Sequence, residues 1–172
     1  AVCWLYRAKL IETVATLLRN ANAQRFTVNI LLAFLPSAVV GVLAYKIIKQ
    51  VLFSPLVVAI ALIVGGFAII IVERLPSVRA PKVRYETIAA IPYGRALAVG
   101  LFQCISMIPG TSRAAATILG ALLMGVTREA AAEFSFMLAI PTMLGATVYD
   151  TYKNRATLSP EGIDRKSTRL NS

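Results

Sequence analysis

Histidine is absent from this chain, cysteine occurs twice, and Asp and Glu together number 8 against 18 Lys and Arg. Without histidine, a phosphohistidine intermediate or a histidine general base carried by this chain alone is excluded. Cys3 and Cys104 both stand in apolar surroundings. They read as small packing residues rather than as a disulfide or metal pair. The scarcity of acid leaves a formal net charge of +10, which invites a nucleic-acid reading. The placement of the basic residues argues against it, because nearly all of them lie between apolar runs. Attraction to anionic lipid headgroups is a sufficient account of the excess.

What the chain has in plenty is apolar surface. Hydrophobic residues make up 58% of it, and the mean hydropathy is +0.72. That is too apolar for an ordinary soluble domain. Phe26 to Tyr45 and Val51 to Val72 are uncharged for 20 and 22 residues, long enough to span a bilayer. Phe134 to Tyr149 has 16 and becomes long enough if Ala130 to Glu133 join its helix. The expected class is an all-α, multi-span integral membrane protein. The connectors 7–27, 46–54 and 73–95 carry 4, 2 and 5 basic residues, an alternation that places the first and third in the cytoplasm.

Along the chain, Ala1 to Tyr6 reads as the exit of a truncated span, with Trp4 and Tyr6 at interfacial depth. Leu10, Ile11, Val14, Leu17 and Leu18 repeat at helical spacing, as on a surface or bundle-packed amphipathic helix. Pro36 interrupts the first long run, and Gly65-Gly66 in the second offers a close-packing point. Leu75 to Lys82, with Pro76 and Pro81, reads as a loop. A helix restarts near Tyr93, and Thr127 is placed to cap the last one, which contains Pro141. Residues 1–155 form a single transmembrane domain. Residues 156–172 are polar, basic and aperiodic, and read as a foreign or read-through tail outside the fold.

The chemistry concentrates at Pro109-Gly110-Thr111-Ser112-Arg113. Ala96 to Ser112 is uncharged for 17 residues and Ala114 to Thr127 for 14. Each arm is short of the roughly 20 residues a span needs, so the 96–126 stretch suits a re-entrant helix-loop-helix. Irregular backbone at membrane depth survives only beside a protected or watery cavity, and an ionisable residue there is functional by default. A planar donor fork, two hydroxyls and a helix N-terminus make a phosphate site.

Arg113 and Ser112 are therefore the catalytic candidates, with Gly110, Thr111, Ser112 and Arg113 contacting substrate phosphate. The plainer alternative for Arg113 is an ion pair with Glu133. Thr111 and Ser112 can equally serve as N-caps, and Gly110 as an ordinary turn residue. Glu133 is a supporting residue that orients Arg113, assists a metal or pairs with Arg128. Gln103 either faces the cavity or makes a helix-packing hydrogen bond. Phe134, Phe136 and Met137 read as packing.

Three segments together, Gly100-Leu101-Phe102-Gln103, Pro109 to Arg113, and Glu133-Phe134-Ser135-Phe136-Met137-Leu138-Ala139-Ile140-Pro141, resemble the undecaprenyl-diphosphate phosphatase family, also called bacitracin-resistance proteins. The resemblance implies a bacterial inner-membrane enzyme that hydrolyses a C55 polyprenyl diphosphate to the monophosphate, with a divalent cation, Mg or Ca. It also implies inverted repeats whose re-entrant loops meet mid-membrane. Partners would be that lipid and the bilayer, with no nucleic acid and with a homo-oligomer left open. Two departures stand out. The family's first re-entrant loop, with its glutamates and histidine, is missing here, and Ala114-Ala115 replaces the usual Ser-Gly. This makes the chain an internal fragment that holds the phosphate clamp, with the metal and its carboxylates on the missing half. The competing readings are a carrier of an anionic lipid or small anion, and a packing-only membrane segment. A lipid-phosphate phosphatase with a histidine nucleophile is disfavoured by the lack of histidine.

Overall fold

The structure is a computed structural model that describes residues 20–47, 54–79 and 84–153, with a few isolated positions before residue 20. The expected span exit at 1–6, the amphipathic helix around 10–18 and the tail at 156–172 lie wholly or largely outside the described residues. Five helices carry the fold: α1 (Ala21–Ile47), α2 (Pro55–Arg74), α3 (Tyr93–Cys104), α4 (Arg113–Leu123) and α5 (Arg128–Lys153). Short 3₁₀ turns, Ile88–Ala90 and Ile105–Met107, lie on either side of α3. The expected loop after α2 includes one helical turn, Pro76–Arg79.

Among the described residues three helices are long and apolar enough to cross a membrane: Ala21–Ala44, Pro55–Arg74 and Arg128–Lys153, with mean hydropathies of 2.2, 2.9 and 1.4. Pro36 and Pro141 lie inside α1 and α5. The third helix reaches spanning length because Arg128 to Glu133 do join it. Thr127 starts it, accepting at Oγ1 from the Ala130 N–H at 3.4 Å. This is an all-α membrane protein, and most of its outward-facing helix surface is apolar.

α1 packs most extensively on α3, and the reason is local. A Cβ on Gly100 would meet the Ala33 carbonyl oxygen at 2.3 Å, so only glycine lets the two backbones touch. Gly120 does the same for α4, since a Cβ there would meet Phe102 Cβ at 2.6 Å. Gly65-Gly66 is a correction. Neither glycine has anything within 4 Å of a built Cβ, and Ala61 is the buried residue on α2. The glycines line an apolar cleft that separates α2 from α3 and α4, rather than a close contact with them.

The buried core gathers where α1 begins, around Ile30, Ile88, Ile91, Val99, Phe134 and Leu138. Phe134 and Met137 are core, whereas Phe136 is 42% exposed and faces outward. Asn29 is fully buried there and donates from Nδ2 to the carbonyls of Ile88 (2.8 Å) and Ile91 (2.9 Å), pinning the turn before α3. The chain ends meeting at this level are strongly basic. Arg128 pairs with Glu73 at 2.9 Å, Arg25 lies over the Tyr93 ring, and Arg95 lies over Tyr85. Surface pairs of this kind contribute about 0–1 kcal/mol, so charge here orients the bundle more than it stabilises it.

Candidate active site

α3 ends in a 3₁₀ turn at Ile105–Met107, and the chain then reverses through Pro109 and Gly110 into α4. Gly110 has φ +98°, and a Cβ there would also meet the Val58 carbonyl oxygen at 2.6 Å. Both facts require glycine: the turn is left-handed and it is pressed against α2. Thr111 Oγ1 makes its hydrogen bonds back into the loop, with the carbonyls of Ile105 (2.9 Å) and Ile108 (2.6 Å). Ser112 caps α4, its Oγ accepting from the Ala115 N–H at 3.3 Å.

Arg113 is the first residue of α4 and is half-buried. Its Nη1 lies 3.5 Å from Thr142 Oγ1, at the outer limit of a hydrogen bond. Thr142 also bonds back to the Leu138 and Ala139 carbonyls, which directs its hydroxyl proton to the helix and leaves an oxygen lone pair toward the guanidinium. Arg113 opens into a cavity of about 750 Å³ between the second halves of α1 and α5. Most of that cavity's wall is apolar, and its polar lining includes Ser37, Gln103, Ser106, Thr142 and Asp150. Gln103 is buried and donates from Nε2 to Ser37 Oγ at 3.0 Å. Ser37 passes the bond to the Phe34 carbonyl at 2.8 Å. Gln103 thus both faces the cavity and ties α3 to α1.

Gly110, Thr111 and Ser112 line a different space, an apolar cleft of about 310 Å³ between α2 and the α3–α4 hairpin. The five motif residues are contiguous, yet the helix start turns Arg113 one way and Ser112 the other. Glu133 is not on the cavity wall. It precedes Thr142 by nine residues on α5, about two and a half turns, which puts it on the opposite helix face and about 13 Å away along the axis. The pairing anticipated between Glu133 and Arg113 is therefore replaced by Thr142, and Arg128 is taken by Glu73.

Thr142 and Asp150 were not singled out from sequence. A signal for them exists, because Thr142, Gly145, Ala146, Tyr149 and Asp150 recur at spacings of three and four and form one small or polar face of α5. Ser37 carried none, being an isolated serine in an apolar span. A divalent cation requires several oxygen ligands. Among the described residues no three His, Cys, Asp or Glu side chains come together, and Asp150 is the one acid lining the cavity. These residues do not fit such an ion.

Ser112 allows a prediction. Ser112→Ala removes the cap and costs about 1 kcal/mol of stability, whereas Ser112→Asp keeps a capping oxygen and stays near wild type. Thermal unfolding in detergent measures both. Equal loss in the two variants would mean that the Ser112 hydroxyl does not act as a cap.

The fold and site define a helical membrane protein in which a broken helical hairpin presents a guanidinium to a partly open, largely apolar cavity with a few polar side chains on its wall. The chain belongs to the bacitracin resistance protein BacA family, which matches residues 1–168. It is 50% identical over 160 residues to undecaprenyl-diphosphatase 1 of Agrobacterium fabrum, covering 92% of this chain and 58% of that relative. It is 52% identical over 158 residues to undecaprenyl-diphosphatase of Nitrosospira multiformis, covering 92% and 56%. With undecaprenyl-diphosphatase 3 of Acinetobacter baylyi the identity is 50% over 164 residues, covering 95% and 60%. The chain thus spans less than two thirds of the length of these relatives.

Proposed function

We propose that this chain supplies the phosphate-clamping part of an undecaprenyl-diphosphate phosphatase of the bacterial inner membrane. The observation that carries the reading is Arg113, set at the N-terminus of α4 and opening into a largely apolar cavity that also presents Ser37, Ser106 and Thr142. α3 and α4 have 12 and 11 residues, about 18 and 16 Å, against a hydrocarbon thickness of about 30 Å. The hairpin accordingly enters the bilayer partway and returns, as a re-entrant pair. The basic ends of α1, α2, α3 and α5, at Arg25, Arg74, Arg95 and Arg128, lie on the cytoplasmic side by charge. The cavity lies toward the other end, with Asp150 at its rim, and so opens away from the cytoplasm.

In the reaction, the bond between the terminal phosphorus and the bridging oxygen breaks, and a water oxygen replaces it. The products are inorganic phosphate and undecaprenyl monophosphate. Arg113 holds the terminal phosphoryl oxygens by two parallel N–H donors and offsets the charge that builds on them. Thr142 offers the guanidinium a long, weak acceptor at the cavity wall, and the positive end of α4 adds a fixed field. The attacking group and any divalent cation, with the carboxylates to hold it, come from the portion of the relatives that this chain does not cover.

The test is phosphate release from a C55 polyprenyl diphosphate in detergent, with and without Mg²⁺ or Ca²⁺. This chain is compared with a full-length protein extended to match its relatives. Metal-dependent release by the full-length protein alone is the expected result. No release by either, with both shown to be folded, would sink the reading in favour of an anion or lipid carrier.

A further inference from the structure

We propose that Arg95, at the far end of the hairpin from the site, is a positioning residue that sets the direction of Arg113 through the rotation of α4. The kinetic consequence rests on the phosphatase reading; the geometric claim does not.

α4 runs from Arg113 itself to Leu123, so it is a rigid rod with the guanidinium on its first residue. Successive helix residues differ by about 100° in direction. Ser112 lines the apolar cleft toward α2 while Arg113 lines the cavity toward α5. A turn of α4 of that order would carry Arg113 off the cavity wall. At the tip, little holds the guanidinium itself, since its contact with Thr142 is 3.5 Å long. Gly110 and the buried residues of α4 pack the helix in place along its length, and its other end adds a polar anchor to that rotational setting.

That end is anchored in detail. Gly125 has φ +81°. Its N–H donates to the Leu122 carbonyl and that of Val126 to the Ala121 carbonyl, both at 3.0 Å. This is a Schellman closure, and it leaves the Met124 carbonyl without a helical partner. Arg95 fills the gap, with Nη1 donating to the Met124 carbonyl at 2.6 Å. The bond is charge-assisted and sits at the negative end of the α4 dipole. The Arg95 guanidinium carbon lies 5.1 Å from the Tyr85 ring centroid. Tyr85 in turn donates its N–H to Gly125 O and accepts from the Thr127 N–H, each at 3.0 Å.

The frame that holds Arg95 does not belong to α4. Arg95 stands at the start of α3, and the preceding turn is held on α1 by the buried Asn29 amide. Arg95 and Tyr85 therefore grip the C-terminus of α4 from a base fixed to α1, and the rod carries that setting to Arg113. Lysine could supply charge but not a planar group that stacks on Tyr85 and donates sideways to a carbonyl.

The experiment uses the full-length protein with Cys3→Ala and Cys104→Ala. In that background the thiol introduced by Arg113→Cys is titrated with a charged, water-soluble methanethiosulfonate. Adding Arg95→Met should slow labelling several-fold in protein that remains folded. With Arg113 intact, Arg95→Met should lower kcat about 10- to 100-fold, the scale of an ångström misplacement of a reacting group. Arg95→Lys should fall between. If Arg95→Met does not fold, Arg95→Lys carries the test by the same two measurements. Unchanged labelling, with kcat within about threefold, overturns the proposal. A parent protein that releases no phosphate, but whose labelling still slows, refutes the phosphatase reading and leaves the positioning claim standing.

Discussion

Arg113→Ala in the full-length protein should lower turnover about 10²–10³-fold, the scale for losing one preorganised donor to a developing oxyanion. The side chain is half-buried and lies at the cavity wall rather than in the buried core. The folded yield should therefore stay near wild type. Arg113→Lys should recover only part of the loss. An ammonium restores charge but not the two parallel donors, and its shorter reach also gives up the approach to Thr142. Steady-state kinetics of phosphate release decide the matter. A loss under threefold in Arg113→Ala would remove Arg113 from the mechanism. Full rescue by lysine would mean that charge alone is used.

The largest structural effect is expected at Gly100. In Gly100→Ala the new methyl would fall 2.3 Å from the Ala33 carbonyl oxygen and 2.8 Å from Ala33 Cα. Both are backbone atoms of a helix, so neither can swing aside. α1 and α3 must separate, at a cost of about 3 kcal/mol, the upper part of the overpacking range. Gln103 sits one turn further along α3 and would lose its 3.0 Å bond to Ser37, so the cavity wall should loosen as well. Gly94 is the internal control. It lies in the first turn of the same helix with nothing within 4 Å of a built Cβ. Gly94→Ala should be neutral or stabilising by up to about 1 kcal/mol. Thermal unfolding of the two variants in detergent gives the comparison. A Gly100→Ala protein as stable as Gly94→Ala would mean that the α1–α3 contact is not this close.

Part of the site could be read directly from the chain. The break at Pro109-Gly110, the charge at Arg113 and the short arms on either side are properties of neighbouring residues, and each stands where it was expected. The division within the motif was not visible. Thr111 and Ser112 make hydrogen bonds inside the loop and the helix cap, and line a space that Arg113 does not. Glu133, an acid near the start of an apolar helix, was a reasonable partner for Arg113 by charge. Its register on α5 turns it away, and the uncharged Thr142 holds the place. Gly65-Gly66 failed for a related reason, since a pair of small residues permits close packing but does not supply a neighbour.

By itself, the sequence determined that this is a helical membrane protein, where its spans run, and where a helix must break beside a cation. Run length, hydropathy and the backbone demands of Pro and Gly are local, so they survive without knowledge of the fold. Only the tertiary structure decided which side chains share a cavity. That depends on the rotational phase of α1, α3, α4 and α5 about their own axes. The phase is set by contacts between distant residues: the backbone fits of Gly100 on Ala33 and Gly110 on Val58, and the Arg95 side chain on the Met124 carbonyl.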